Sequence, residues 1–163
     1  LKDFKKRVFG EHVIYSFDYD LADNLAGWDP GYANGDSWPV SSSTFSKIGT
    51  VVDYELAEGT RKCLAAKRGE YGLVHFGPYV SISPGSYLAS FEIIASEPVS
   101  DSSYIEVTYN GGLGSLGKKT IDSSSSLQHI EFVVQEFTEG LELVYYSGGE
   151  VDSLFCGVSL RSK

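Results

Sequence analysis

From residue 12 onward the chain falls into short runs in which apolar and polar positions alternate with period two, separated by turn residues. Residues 12–17, 49–56, 61–68, 72–80, 86–95, 103–109, 113–121, 128–134, 141–147 and 151–160 each read as a strand. Ser83-Pro84-Gly85, Asn110-Gly111-Gly112, the stretch 122–126 and Gly148-Gly149 carry turn chemistry between them. Residues 18–43 form a long irregular stretch containing Trp28-Asp29-Pro30-Gly31 and Trp38-Pro39. About ten strands joined by short turns predict an all-β antiparallel sandwich or barrel.

Alternation also assigns faces. Ile105, Val107 and Tyr109 share one side of their strand, and Tyr104, Glu106 and Thr108 share the other. Leu141, Leu143 and Tyr145 are expected inside, with Glu142, Val144 and Tyr146 outside. The run 128–134 buries Ile130, Phe132 and Val134 and exposes His129 and Glu131, while Tyr87, Ala89, Phe91 and Ile93 give 86–95 one apolar side. Strands with one apolar face are what a two-sheet sandwich requires.

Composition fits this picture. The chain has 163 residues, enough for one continuous core, with 42% hydrophobic and 21% charged residues. Eleven Tyr, nine Phe and 18 Gly, with no Met, favour strands and turns over helices. The lack of any Met is read as the mark of a processed protein or of a piece of a longer one. The charged opening 1–10 is expected to be a linker from an upstream domain, and 11–163 the β-sandwich. No apolar run approaches the ~20 residues of a membrane span, and no signal-peptide pattern opens the chain.

A net charge of −9 argues against nucleic acid as a partner, because phosphate neutralisation needs clustered Lys and Arg. It equally disfavours docking on anionic lipid. Cys63 and Cys156 are too few for a disulfide framework. Two buried free thiols are the plainer reading, and a bridge would require them to be neighbours in space.

Catalytic constellations are missing. There is no Gly-x-Ser-x-Gly elbow, Walker loop or His-Glu-x-x-His, and His12, His75 and His129 are scattered over separate strands. The Gly-rich 111–114 is not followed by a helical pattern. Asp18, Asp20 and Asp23 crowd one segment without EF-hand spacing, so a structural Ca²⁺ is the one ion the sequence admits, and no other cofactor is expected.

One segment is more specific. Gly72-Leu73-Val74-His75-Phe76-Gly77-Pro78-Tyr79-Val80-Ser81-Ile82-Ser83-Pro84-Gly85-Ser86-Tyr87 resembles the Gly-Pro-Tyr, alternating apolar, Pro-Gly-x-Tyr signature of certain jelly-roll, galactose-binding-like domains. These are carbohydrate-binding modules attached to bacterial surface-polysaccharide glycosyltransferases and to ATPase subunits of O-antigen exporters. The run 151–160 is similar to the last strand of such sandwiches. The resemblance implies glycan binding without hydrolysis, a place in the cytoplasm within a larger polysaccharide-handling protein, and any homo-oligomer formed through that parent. The Gly-Pro-Tyr motif also has a structural reason, since Pro78 cannot donate to a ladder and marks a strand break.

In jelly rolls of this kind the second sheet often holds the ligand. With the usual strand order it would contain 61–68, 72–80, 103–109 and 141–147, bringing Arg61, Lys67, His75, Tyr104, Glu106, Thr108, Glu142 and Tyr146 to one surface. Aromatic rings stack on the C–H face of a pyranose, and charged groups hydrogen-bond its hydroxyls. Arg61 or Lys67 would pair the carboxylate of an acidic sugar, and Trp28 or Trp38 would supply a lid or stacking platform. The leading expectation is a non-catalytic module that binds an oligosaccharide or polysaccharide. The alternative is a structural β-sandwich that uses the same face to bind protein.

Overall fold

The computed structural model describes residues 5–9, 12–16, 36–40, 46–56, 59–99 and 102–163. Trp28, Asp18, Asp20 and Asp23 lie outside them. Two mainly antiparallel sheets build the chain, with no helix among the described residues. The larger sheet contains β1 (Lys5–Phe9), β2 (His12–Ser16), β3 (Asp36–Pro39), β4 (Thr50–Leu56) and β5 (Gly59–Ala66). The smaller sheet takes β6 (Gly72–His75) and β7 (Pro78–Ile82), after which β8 (Gly85–Ala95) returns to the larger. β9 (Tyr104–Tyr109), β10 (Gly114–Thr120) and β12 (Thr138–Ser147) belong to the smaller sheet, and β11 (Leu127–Val134) and β13 (Ser153–Ser162) to the larger.

The segment expected as a linker contributes β1, paired antiparallel with β2 from Lys5 opposite Ser16 to Phe9 opposite His12. The run expected as one strand over 72–80 is two, β6 and β7. They are separated at the cis Gly77–Pro78 bond, where Pro78 has no N–H to continue a ladder.

β13 organises the larger sheet. One edge pairs with β8 along its length, from Ser153 opposite Ala95 to Ser162 opposite Tyr87. Its other edge is divided: Ser153–Phe155 pair with β5, and Gly157–Leu160 pair with β3. Cys156 sits where the two partners change over, one step beyond the Phe155–Leu64 pair, and it is bonded to Cys63. Two free thiols were the plainer expectation, and the structure corrects it. The sequence separation of 93 hid a pair that only the insertion of β13 beside β5 makes adjacent.

The core lies between the sheets and draws on both. Phe91, Ile93, Phe155 and Leu160 from the larger sheet meet Ile105, Val107, Leu141, Leu143 and Tyr145 from the smaller. β11 alternates strictly, with Ile130, Phe132 and Val134 buried and His129, Glu131 and Val133 exposed, as its sequence predicts. Where the sheets close at the end bearing Ser147 and Ser153, backbone approaches are tight. A Cβ on Gly148 would overlap Ser102, so Gly148→Ala is expected to cost about 1–3 kcal/mol by overpacking, measured as a lower midpoint in urea unfolding.

Candidate functional site

The smaller sheet runs in the order β10, β9, β12, then β6 and β7 beside different halves of β12. Register fixes which side chains share its outer face. Tyr104 stands opposite Tyr146, Glu106 opposite Val144 and Thr108 opposite Glu142. On the other edge of β9, Thr120 faces Tyr104, Lys118 faces Glu106 and Ser115 faces Thr108. Directly opposed residues of an antiparallel pair project to one side, so these groups form a single surface.

At one end of this surface the Tyr104 and Tyr146 rings stack, with centroids 5.0 Å apart and planes 9° from parallel. Lys118 Nζ lies 4.0 Å from the centroid of the Tyr104 ring. Because Tyr104 stands between β10 and β12, the ammonium and the Tyr146 ring occupy its two opposite faces. Partial burial pushes the Tyr104 hydroxyl up from its ordinary value, and the neighbouring Glu106 carboxylate and Tyr146 add to the effect. It is therefore a neutral donor at any working pH.

The other end is more closed. Glu142 and Thr108 are 8% and 7% exposed. Burial pushes the Glu142 carboxyl up. The Tyr79 hydroxyl and the Gly77 amide, which donate to it, and nearby Lys47 pull it back down. The Thr108 hydroxyl is buried with no hydrogen-bond partner among the described residues. Tyr79 keeps its ring partly exposed and holds φ at +66°, an uncommon backbone conformation for a bulky residue. The Gly-Pro-Tyr turn, expected only as a fold marker, thus brings Tyr79 onto the outer face as well.

Of the residues singled out in the sequence, Tyr104, Glu106 and Tyr146 come together on one face. His75 does not. It is fully buried, stacked on Phe155 at 4.6 Å, and its Nδ1 donates to the Leu143 carbonyl at 2.7 Å. The register shift between Tyr145 and Tyr146 places His75 opposite Tyr145 and turns it into the core. Desolvation lowers its pKa to about 4, the Leu143 bond acting the other way, so the ring is neutral.

Arg61 and Lys67 are corrected too. Arg61 lies in β5 and Lys67 just beyond it, and β5 belongs to the larger sheet, away from Tyr104. Arg61 Nη1 pairs with Glu92 at 2.5 Å and Nη2 donates to the Cys156 carbonyl at 3.1 Å, so the guanidinium is committed to the fold. These two cations therefore do not stand on the face where an acidic sugar was expected to meet them. Trp38 is in β3, opposite Val158 of β13, and so also in the larger sheet. Glu142 and Val144, expected outside, are buried. β12 runs between β9 and the β6–β7 pair, and residues of both its faces are buried from Leu141 to Tyr145.

Lys118 went unnoticed in the sequence. The bulge between Ser115 and Gly117 breaks the alternation of β10, so period two does not reveal which of Lys118 and Lys119 shares the face of Tyr104. Its neighbour Lys119 instead reaches the His129 carbonyl.

No family model matches the chain, and no curated protein matches it. Among solved structures it is similar to the C-terminal CBM6 module of LamC, a laminarinase from Zobellia galactanivorans. That similarity has 15% identity over 78% of this chain and 99% of that one, with a TM-score of 0.48. It is also similar to the carbohydrate-binding module CBM6cm-2 of Cellvibrio mixtus lichenase 5A, solved with cellotriose. There the identity is 14% over 71% of this chain and 87% of that one, with a TM-score of 0.49.

Proposed function

We propose that this chain is a non-catalytic glycan-binding module that holds a saccharide against the outer face of the smaller sheet. The observation that carries the reading is the Tyr104–Tyr146 stack with Lys118 and Glu106 beside it. It offers aromatic surface, two hydroxyl groups, an ammonium donor and a carboxylate acceptor within two residues along neighbouring strands. That combination suits a ligand that is apolar on its ring faces and hydroxylated at its edges.

A binding role is favoured over hydrolysis by what surrounds the titratable groups. Ser90 Oγ and His129 Nδ1 are 2.8 Å apart, but they lie across neighbouring strands on an open face of the larger sheet, and the nearby Glu131 is tied to Lys163. Among the described residues, that Ser–His pair has no third group to orient it.

The wider setting, a surface glycan handled by a larger polysaccharide-processing protein, is supported by the resemblance carried by 72–87. In it the module would raise the effective concentration of the glycan near its parent's working site. The Cys63–Cys156 bond supports an oxidising compartment in place of the cytoplasmic one that the resemblance implies.

Calorimetric titration of the chain against a panel of oligosaccharides tests the proposal. Wild type is expected to bind, and Tyr146→Ala to weaken binding roughly thirtyfold, the ~2 kcal/mol of an aromatic hot spot. Absence of binding across the panel, or binding indifferent to Tyr146→Ala, sinks it. A protein-binding reading has one observation in its favour. Among the described residues β11 pairs with β8 alone, and it exposes Leu127 and Val133. Sedimentation that shows concentration-dependent dimers without sugar affinity would select that reading.

A further inference from the structure

Tyr104 is the middle member of the stack at one end of the outer face, yet neither of its π-surfaces is open. Tyr146 covers one at 5.0 Å and the Lys118 ammonium covers the other at 4.0 Å. The two covers differ in kind. The Tyr146 ring rises from a central strand whose backbone is paired on both edges. Lys118 is an exposed side chain on β10, which among the described residues pairs with β9 alone. An exposed cation–π contact shifts an equilibrium only about two- to fivefold, so this cover is readily displaced.

Lys118 is also a cation with no carboxylate oxygen within 4 Å among the described residues. Arg61, Lys62, Arg68 and Lys163 are each paired, with Glu92, Asp53, Glu97 and Glu131 respectively. Glu106, opposite Lys118 in register, has no ion pair of its own among the described residues.

We infer that this face takes a neutral pyranose glycan, stacked on Tyr104 in the place Lys118 holds in the free protein, with Glu106 accepting from two adjacent sugar hydroxyls. The inference rests on the glycan-binding reading and names the ligand class of that same face. Glu106 stands two residues from Tyr104 along β9, on the same side, so a ring lying on Tyr104 brings its hydroxylated edge to the carboxylate. The displaced ammonium has ring and hydroxyl oxygens as acceptors at that same edge.

Neutrality of the ligand follows from the charges on the face. Lys118 and Lys47 are set against Glu106 and Glu142, in a chain of net charge −9. The carboxylate of a uronic acid stacked on Tyr104 would lie beside Glu106, well inside the ~10 Å over which salt screens charge. Lys118 is then a specificity-determining residue that exchanges one aromatic contact for hydrogen bonds to the sugar.

The test uses the whole chain, a panel of neutral gluco-, xylo- and manno-oligosaccharides, and an oligogalacturonate of matching length. Wild type is expected to bind at least one neutral probe ten times more tightly than the galacturonate. Glu106→Gln is expected to weaken that binding at least about tenfold, as for a hydrogen bond to a charged group, with its thermal unfolding unchanged. In the NMR spectrum of the free chain, the Lys118 Hε signals, identified by their loss in Lys118→Met, are shifted upfield by the Tyr104 ring. They are expected to return toward ordinary lysine positions on saturation with the neutral probe.

Equal or tighter binding of the galacturonate overturns the inference, as does neutral binding within twofold of wild type in Glu106→Gln. Lys118 signals that stay ring-shifted at saturation overturn it as well. All three outcomes leave glycan binding itself standing. A wild-type chain that binds no probe, neutral or acidic, removes the reading beneath it.

Discussion

Replacing Cys63 and Cys156 together by serine is expected to lower the stability of the chain by about 4–5 kcal/mol. The bond closes a loop with a sequence separation of 93, and opening it returns that conformational freedom to the unfolded chain. For a chain of this length the loss corresponds to a fall in Tm of roughly 10–20 °C. The bond also ties β5 to β13 at the point where β13 changes partner from β5 to β3, so its loss is expected to loosen that junction first.

Both sulfur-bearing residues are essentially unexposed, so a reductant reaches the bond only through opening of the fold. Thermal melts of oxidised wild type, fully reduced wild type and the double variant provide the check. The two thiol-free or reduced forms should melt together, well below the oxidised chain. If oxidised and reduced wild type melt at the same temperature, the bond is not formed in solution and the argument for an oxidising compartment goes with it.

The second large effect is on pH dependence. His75 has a folded pKa lowered to about 4, mainly by burial, against an ordinary value of 6.5. A group whose folded pKa lies below its unfolded one takes up its proton more readily in the unfolded chain. Its neutral form therefore contributes full stability above about pH 6.5, and that contribution is lost as pH falls through the window down to about 4. The loss is expected to reach about 3 kcal/mol.

Urea unfolding between pH 7 and pH 4 measures it. The comparison is His75→Phe, which removes the titrating ring and the hydrogen bond to Leu143 while keeping an aromatic against Phe155. That variant is expected to be less stable at pH 7 and to show a clearly flatter decline toward acid. Equal slopes for the two proteins would place His75 in contact with water, and the assignment of this residue to the core would fail. Such a result would also reopen it as a ligand-binding group, so the experiment bears on the site as well as on the fold.

What the sequence determined by itself is local. Period-two patterning identifies the strands because a side chain's face in an extended segment depends only on its parity. The alternation of β11 and the apolar side of β8 were legible for that reason, and so was the common face of Tyr104 and Glu106 on β9. Turn residues marked most of the breaks, and Pro78 marked the one between β6 and β7.

The tertiary structure decided what parity cannot reach. Strand order put β5, and with it Arg61, into the larger sheet, where the guanidinium serves Glu92 instead of a ligand. Register shifts reversed parity in two places: one turned His75 inward, and the other brought Lys118 over Tyr104. The Cys63–Cys156 bond and the Tyr104–Tyr146 stack each join residues far apart in the chain through a strand pairing that no local pattern encodes. Faces are a property of one strand, whereas sites belong to neighbouring strands, and only folding chooses the neighbours.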